Sequence, residues 1–285
     1  MLSSIGKWKV IALETGDFRL DGGAMMGSVP KVLWEKTNPP DELNRIDLAL
    51  RCLLLDDGEH KILIESGIGD KLEASHLERY FVRQPDHPLK ERLKEEGYEM
   101  DDITHVILTH LHFDHSGGAT TLDSHGNIIP AFSNAIYYIS ERNWEAGINP
   151  SPRDSASYLD INFLALSETD KLQLVPDNEE IVEGITTMVV NGHTHGQQLI
   201  KVQSEENTLV FCADLIPLKS HLQLPWIMGY DLSAVLTLEE KTIFLKQAAK
   251  NDWWLWFYHD PSTVAVQISP GEKYYDVVSE VLRSK

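Results

Sequence analysis

Three histidines and one aspartate lie within six consecutive residues, in the segment His110-Leu111-His112-Phe113-Asp114-His115. In an extended chain, residues two apart point to the same side, so His110 and His112 can share one ion. Asp114 and His115 lie where the chain is predicted to turn, so they can face a second ion. Imidazole and carboxylate groups suit zinc, and they also suit iron or manganese. An incidental polar loop rarely concentrates such side chains, so the segment predicts a metal centre.

One such segment cannot complete two metal sites, so further ligands must come from elsewhere in the chain. A side chain that directly follows an apolar strand emerges at the edge of a sheet, where it can meet the histidine segment. Taken singly, each such residue has a simpler interpretation, as a loop-capping aspartate or as a surface or core histidine. Taken together, they are what a metal site at a sheet edge requires. The candidates are His193 after a predicted strand at residues 185–190, Asp214 after residues 209–213, and His259 after residues 253–258.

Apolar and alternating runs predict the elements that must hold these residues in place. A strand at residues 104–109 runs straight into the histidine segment, and Asp56-Asp57-Gly58 is predicted to be a hairpin turn. A capping box at Thr237-Leu238-Glu239-Glu240 predicts the start of a helix that extends to about Lys250. A short helix is predicted to end the chain. Further strands are predicted at residues 9–13, 46–55, 61–65, 135–139, 172–175, 198–202 and 264–268, and helices at residues 75–81 and 88–96.

Composition argues against several classes of partner. The chain has 44 acidic and 25 basic residues and a net charge of -19, so its surface repels phosphate backbones and anionic membranes. We therefore expect a small-molecule substrate, with neither nucleic acid nor membrane as a partner, and the sequence leaves a homodimer open. The N-terminus lacks a signal-peptide pattern and no apolar run is long enough to span a bilayer, which predicts a cytoplasmic location. Cys52 and Cys212 lie in apolar runs and are predicted to be buried hydrophobic residues, although spacing does not exclude a disulfide.

The histidine segment, followed in order by His193, Asp214 and His259, resembles the ligand pattern of the metallo-β-lactamase superfamily over nearly the whole chain. The resemblance implies an α+β fold, an αββα sandwich of two mixed β-sheets with helices on the outer faces, in a single domain over residues 1–285. It also implies two divalent metal ions. Because the ligand histidine precedes a threonine in that family, His193 is favoured over His195. By resemblance, the first metal is bound by His110, His112 and His193, the second by Asp114, His115 and His259, and Asp214 bridges the two.

Two lip segments narrow the resemblance to the branch of quorum-quenching lactonases and methyl parathion hydrolase. One is Asp21-Gly22-Gly23-Ala24-Met25-Met26-Gly27, and the other includes Gly229-Tyr230-Asp231. The chain departs from the superfamily after an early strand, where Glu65-Ser66-Gly67 replaces the usual Asp-Thr-Gly. That aspartate is normally a hydrogen-bond partner of a metal-bound histidine. The longer carboxylate of Glu65 can therefore alter how that histidine is oriented.

The resemblance also implies a mechanism. Two metal ions about 3.5–4 Å apart share a bridging water and lower its pKa towards neutrality, and the resulting hydroxide attacks a carbonyl or phosphoryl centre. Asp114 is predicted to carry a proton to the leaving group as well as to bind metal. Tyr230 or His221 can donate a hydrogen bond to the developing oxyanion. The alternatives are that Tyr230 only packs and that His221 only caps a loop.

An apolar wall beside the metals is predicted from the two lip segments, because small-molecule sites are mostly apolar with a few placed polar groups. The alternative for these side chains is ordinary core packing, and for Trp226 the sequence does not choose between the two. The predicted substrate-binding residues are Met25, Met26, Trp34, Trp226 and Met228.

The predicted function is that of a metal-dependent hydrolase, a lactonase or esterase that acts on a small neutral substrate such as an N-acyl homoserine lactone. Two alternatives use the same fold. One is a phosphotriesterase that hydrolyses organophosphates, and the other is a non-catalytic metal-binding protein. The complete ligand set argues against a non-catalytic protein, because degenerate relatives usually lose ligands.

Overall fold

The computed structural model describes residues 2–284, and its framework is a pair of seven-stranded β-sheets. Buried side chains from both sheets belong to one hydrophobic core. The first sheet is formed by the N-terminal part of the chain. Its strands, in order across the sheet, are β1 (Ser4–Ile5), β2 (Trp8–Asp21), β3 (Arg45–Asp56), β4 (Lys61–Ile64), β5 (His105–Ile107), β8 (Ile136–Ser140) and β9 (Leu172–Val175).

The second sheet is formed by the C-terminal part of the chain. In order across the sheet, its strands are β10 (Glu180–Val182), β11 (Ile185–Val190), β12 (Gln197–Gln203), β13 (Thr208–Phe211), β14 (Trp254–Trp256), β15 (Thr263–Pro270) and β16 (Tyr275–Leu282). A separate two-stranded sheet pairs β6 (Thr120–Leu122) with β7 (Ile128–Pro130).

Seven α-helices lie within residues 2–284, and several of them pack against the sheets. Helix α7 (Ala234–Lys250) contacts β15, α4 (Pro88–Glu95) contacts β2, and α6 (Glu141–Ile148) contacts β8 and β9. Two mixed sheets with helices packed on them confirm the predicted α+β sandwich. The helices are α1 (Gly22–Met26), α2 (Lys31–Trp34), α3 (Ala74–Arg79), α4 (Pro88–Glu95), α5 (Phe113–Ser116), α6 (Glu141–Ile148) and α7 (Ala234–Lys250).

The parallel parts of the two sheets position the candidate site. Strands β4, β5, β8 and β9 run parallel to one another, as do β13 and β14. Carboxyl ends of parallel neighbours emerge at the same edge of a sheet, which is where open sheets commonly bind ligands. Four of the predicted site residues follow such ends: Glu65 after β4, His110 after β5, Asp214 after β13 and His259 after β14.

The described chain ends in a strand, so the helix predicted there is wrong. Strand β16 pairs antiparallel with β15 along its length. Val277, Val278 and Val281 are β-branched, which favours an extended chain. Their spacing also fits one face of a helix, so periodicity alone could not reveal that a neighbouring strand supplies the backbone partners.

The long helix α7 begins earlier than predicted, so the capping box at Thr237 is wrong. Ser233 is the N-cap residue, and its side chain accepts a hydrogen bond from the backbone N–H of Leu236. The Thr237 hydroxyl instead donates to the carbonyl oxygen of Ser233 at 3.1 Å, a bond that threonine commonly makes inside a helix. The predicted helix end at Lys250 is confirmed.

The strand predicted at residues 9–13 is much longer in the structure, where β2 runs to Asp21. Beyond residue 13, charged residues and Gly16 interrupt the apolar pattern on which the prediction depended. A register shift between Glu14 and Gly16 lets β2 stay paired with β3 past this point. The extension ends at Asp21, where the first of the two lip segments (residues 21–27) begins, and it therefore positions that segment.

Cys52 and Cys212 are both buried, and their thiols are free. Burial raises the pKa of both thiols, so they stay protonated. Within residues 2–284, no helix has the length and apolar character needed to cross a membrane.

Candidate metal centre

Three histidines from two separate segments converge on one point. His112 Nδ1 lies 3.1 Å from His110 Nε2 and 3.2 Å from His193 Nε2. His110 and His112 follow β5, whereas His193 follows β11 in the other sheet. All three side chains are buried, and each offers one ring nitrogen within 4.8 Å of the others. This first cluster has the geometry of a metal site with three imidazole ligands.

Asp114, His115 and His259 form a second cluster beside the first. His259 Nε2 lies 3.3 Å from His115 Nε2 and 3.6 Å from Asp114 Oδ2. The short helix α5 carries Asp114 and His115, whereas His259 comes from the end of β14. Their ligand atoms also lie within 4.8 Å of one another.

Asp214 lies between the two clusters. Its Oδ2 is 3.3 Å from His193 Nε2, while its Oδ1 is 3.5 Å from His115 Nε2 and 3.4 Å from His259 Nε2. One carboxylate oxygen therefore faces each cluster. Asp214 is buried in the tight turn that follows β13, so the strand end and the turn together fix its position.

Divalent cations fit these residues because protons alone cannot satisfy the facing lone pairs. A shared proton can join one pair of ring nitrogens, but His112 Nδ1 faces two of them. Asp214 Oδ1 is buried and has no hydrogen-bond partner among residues 2–284. A cation that accepts electron pairs from imidazole and carboxylate ligands together removes both conflicts.

Burial and neighbouring charges give the two clusters different electrostatics. Burial lowers the pKa of His110 and His112 well below its ordinary value, and neighbouring imidazoles lower it further. Burial acts in the same direction at His115, but Asp214 and Glu65 outweigh it and raise the pKa well above its ordinary value. In spite of burial, the surrounding histidines hold the Asp214 pKa well below its usual range. His110 and His112 therefore present neutral imidazoles, the form that binds metal, beside an ionised carboxylate. At His193, the third member of the first cluster, Asp214 and Asp231 outweigh burial and raise the pKa.

Hydrogen bonds on the far side of the rings orient two of these histidines. His193 Nδ1 lies 2.9 Å from Asp231 Oδ1, and His259 Nδ1 lies 3.0 Å from the carbonyl oxygen of Ala49. Such partners fix the tautomer and the ring orientation of a metal ligand. The sequence prediction did not include Asp231, although the lip segment Gly229-Tyr230-Asp231 contains it. Its only local signal is its position next to Tyr230, a predicted hydrogen-bond donor to the oxyanion.

Glu65 contacts one ligand histidine directly and a second through a hydroxyl group. Its Oε1 lies 3.2 Å from His115 Nδ1 and accepts a hydrogen bond from the Thr109 hydroxyl. Thr109 Oγ1 in turn lies 3.0 Å from His110 Nδ1. Glu65 is fully buried, with φ at 68°, so the backbone is held in the left-handed region. Its position is the one in which the sequence predicted a hydrogen-bond partner for a ligand.

His195 lies outside both clusters. This residue is exposed, and its backbone carbonyl oxygen accepts a hydrogen bond from Asn143 Nδ2 at 2.8 Å. Of the two histidines in the segment Gly192-His193-Thr194-His195-Gly196, the structure brings His193 to the other predicted ligands.

A cleft of about 260 Å³ opens onto both clusters. Met25, Met228 and Tyr230 line it, as the sequence predicted for the two methionines and for a hydrogen-bond donor. Leu20, Tyr80 and Phe113 were not predicted to line it but do so, and the rings of Tyr80 and Phe113 stack with centroids 5.2 Å apart. Phe113 lies inside the histidine segment, but no motif marks Leu20 and Tyr80, because long-range packing brings them to the cleft.

Three of the predicted wall residues, all within the part of the chain that the structure describes, do not line this cleft. Met26 and Trp34 are buried in the core, and a Cβ at Gly22 would lie 2.6 Å from the Trp34 ring. Trp226 is half-buried and does not line the cleft. Core packing, the alternative that the sequence left open, accounts for Met26 and Trp34.

His221, which the sequence offered as a hydrogen-bond donor to the developing oxyanion, also lies outside the cleft lining. It is fully buried, and its Nε2 lies 3.0 Å from the carbonyl oxygen of Met25. Burial, with the nearby charge of Lys241, lowers the His221 pKa to about 3, so the ring is neutral. Its polar contact in the structure is therefore with the backbone of the N-terminal lip.

A larger cavity of about 410 Å³ lies beside α4 and includes His87 and Lys90 in its lining. None of the predicted metal ligands reaches it. The side chains in its lining, rather than its size, therefore make the smaller cleft the candidate functional site.

The family model described as the metallo-beta-lactamase superfamily matches residues 48–259. An N-acyl homoserine lactonase from Bacillus cereus is 28% identical over 178 residues, which cover 59% of this chain and 63% of the relative. The alignment with this curated relative thus spans just under two thirds of the relative's length.

Solved structures extend the likeness over the whole chain. A probable metal-dependent hydrolase from Staphylococcus aureus is 31% identical with a TM-score of 0.91, and 99% of each chain is covered. AidC, described as a dizinc quorum-quenching lactonase, has a TM-score of 0.81 at 21% identity, with 99% of this chain and 97% of AidC covered, and it supports the fold alone. The family match covers the histidine segment and the three later predicted ligands, all of which converge in space, and the chain therefore belongs to the metallo-β-lactamase superfamily.

Proposed function

We propose that this chain is a dinuclear metal-dependent hydrolase that opens lactones with an apolar acyl chain, such as N-acyl homoserine lactones. The position of Asp214 carries the proposal, because its two oxygens face two separate ligand clusters at the base of an open cleft. The lactonase relative from Bacillus cereus supports the substrate class.

The proposed metal is zinc, with iron or manganese as alternatives, because the clusters offer imidazole and carboxylate ligands. When bound, such cations polarise a substrate carbonyl and make water a stronger nucleophile near neutral pH. His110, His112 and His193 would hold one ion, Asp114, His115 and His259 the other, and Asp214 both.

The apolar lining of the cleft would bind the acyl chain. Met25, Met228 and Leu20 present aliphatic and thioether surface, and the stacked rings of Tyr80 and Phe113 add aromatic surface. Each methylene group transferred from water to such surface stabilises the complex by about 0.8 kcal/mol. The chain of the substrate would therefore set how firmly it binds, while the ligand clusters face its ring.

Asp114 would move the proton during ring opening. Its side chain lines the cleft, and its Oδ2 faces the second cluster. The carboxylate can accept a proton from the attacking water and return it to the ring oxygen as the ester C–O bond breaks, so that the lactone becomes a hydroxy acid. Burial raises the pKa of Tyr230, so its hydroxyl stays protonated and would donate to the carbonyl oxygen as charge develops there.

A substrate panel tests this function. Purified protein reloaded with zinc would be given lactones of short and long acyl chain, aryl esters and phosphotriesters, with His110→Ala prepared in parallel to measure contaminating host activity. We expect kcat/KM to be highest for long-chain lactones, by about a hundredfold over the other classes. A higher kcat/KM for phosphotriesters would favour the phosphotriesterase alternative, and no turnover of any class would favour a non-catalytic metal-binding protein.

The remaining features of this proposal are a single domain over residues 1–285, a small-molecule substrate without nucleic acid or membrane partners and a cytoplasmic location, and the sequence leaves a homodimer open. They stay predictions from sequence.

A further inference from the structure

Two segments form one side of the cleft, helix α1 and residues 219–231, and together we name them the roof. They contribute Met25 and Met228 to the lining. The backbone N–H of Gly229 donates to the carbonyl oxygen of Ala24 at 2.7 Å, which ties the two segments together. The roof is therefore a paired structure, and its shape depends on both partners.

The close approach at Gly27 shows how tightly the two segments fit. A Cβ at this position would collide with the carbonyl oxygen of Ile227, and Gly27 has φ at 56°, where glycine is favoured. The contact leaves no space for a side chain. A small displacement of residues 219–231 would consequently move α1 as well.

Lys241 anchors the second segment of the roof, residues 219–231, to helix α7. It lies on α7, is 0% exposed, and has no ion-pair partner among residues 2–284. Its ammonium group donates to the carbonyl oxygens of His221 at 3.2 Å, Gln223 at 3.1 Å and Trp226 at 2.6 Å. An ammonium group has three N–H donors, and all three are used on one loop. An apolar residue would fill this core position without the cost of burying a charge, so the contacts explain the lysine.

His221 extends this contact to the first segment of the roof. Its carbonyl oxygen accepts from Lys241, and its ring Nε2, 3.0 Å from Met25 O, donates to that carbonyl oxygen. Lys241, His221 and Met25 thus form a continuous series of hydrogen-bonded residues from helix α7 to the cleft lining. The series ends at the backbone of a lining residue and contacts neither ligand cluster by a hydrogen bond.

We propose that Lys241 and His221 are positioning residues that set the shape of the acyl-chain side of the cleft and hence the preference for acyl-chain length. The preference for a lactone acyl chain rests on the proposed function, but the positioning of the roof does not. Removing either contact releases the roof and lets Met25 and Met228 move away from the substrate. Asp231, at the end of the roof, stays beside His193, because the next residue, Leu232, donates its backbone N–H to the His193 carbonyl oxygen at 3.1 Å.

The test compares Lys241→Met and His221→Leu with the unmodified chain. We expect KM for long-chain lactones to rise about tenfold, with a smaller change for short chains and with kcat and metal content retained. His221→Gln keeps an N–H donor near the Met25 carbonyl and should restore most of the loss. Lys246→Met, an exposed position on the same helix, is the matched control and should leave both constants unchanged.

Hydrogen–deuterium exchange gives a readout that needs no substrate. We expect faster amide exchange in α1 and residues 219–231 of Lys241→Met, with the segment from His110 to His115 unchanged. Absence of lactone hydrolysis by the unmodified chain would overturn the proposed function, whereas faster exchange of the roof would still support its positioning. Unchanged exchange and unchanged KM ratios would overturn the positioning role. An equal fall in kcat for all chain lengths in His221→Leu would overturn it in favour of a catalytic His221.

Discussion

The ligand clusters and the roof lie on either side of the same cleft, but they are built differently. The clusters consist of ionisable side chains that emerge at strand ends and are oriented by partners such as Asp231 and Glu65. The roof consists of helix α1 and a loop, and their backbone carbonyl oxygens are held by Lys241 and His221. Side-chain identity therefore determines the chemistry at the clusters, whereas backbone placement determines shape at the roof.

This difference predicts two separable classes of variant. Changes in the clusters should remove metal and turnover together, because the ligands act as one unit. Changes in the roof should alter substrate preference and leave metal content intact. Asp231 belongs to both regions, since it lies in the roof while its carboxylate contacts His193.

The largest effect is expected for Asp214→Asn. A ligand shared by two cations needs two anionic oxygens, and asparagine offers a single neutral oxygen acceptor. Metal content should fall and kcat/KM should drop by orders of magnitude, as measured by elemental analysis and lactone hydrolysis. The exposed Asp160→Asn is the control. Near-normal metal content and turnover in Asp214→Asn would make Asp214 a loop-capping residue, because asparagine caps almost as well.

The next effect separates two neighbouring histidines. His193→Ala should lower metal occupancy and activity by orders of magnitude, because its Nε2 faces both His112 and Asp214. His195→Ala should change little, because that residue is exposed and its contact is made by backbone. Metal content and kcat measured on both variants give the ranking, and the reverse ranking would contradict the ligand assignment.

A smaller effect is expected where the two regions meet. Asp231→Ala removes the acceptor that orients His193, so zinc affinity should fall about 10- to 100-fold in competition with a chromophoric chelator. Asp231→Asn keeps an oxygen acceptor and should lose less. Equal affinity in Asp231→Ala and the unmodified chain would show that this carboxylate does not hold His193 in place.

The smallest effect is expected for Tyr230→Phe. The side chain lies at the cleft and is 39% exposed, so water can partly replace its hydroxyl group. We expect kcat for a lactone to fall about tenfold, because one hydrogen bond to the developing charge is lost, with metal content unchanged. An unaltered kcat would assign Tyr230 to packing alone.

The same difference explains what the sequence could predict. His110, His193 and Asp214 are rare chemical types directly after apolar runs, so both their identity and their placement are local signals. The apolar runs also predict most of the strands, but their arrangement in two packed sheets came from the family resemblance. Glu65 was found because it departs from a familiar segment and not because any contact was visible.

The roof and the chain terminus escaped prediction because their structure depends on distant partners. From sequence alone, Lys241 is indistinguishable from an ordinary surface lysine of a helix. No neighbouring residue indicates that its ammonium group contacts three carbonyl oxygens of a distant loop. Leu20 reaches the cleft only because β2 continues past its bulge. Likewise, β16 is a strand because β15 pairs with it, although its valines also fit a helix.

The metal content of the chain tests the central claim most directly. Protein stripped with a chelator, reloaded with zinc and freed of excess metal would be analysed for zinc and for protein concentration. Seven converging ligand side chains exceed what one tetrahedral ion can use, so we expect about two zinc ions per chain. A value of one or none after reloading would contradict the dinuclear centre on which the proposed function depends.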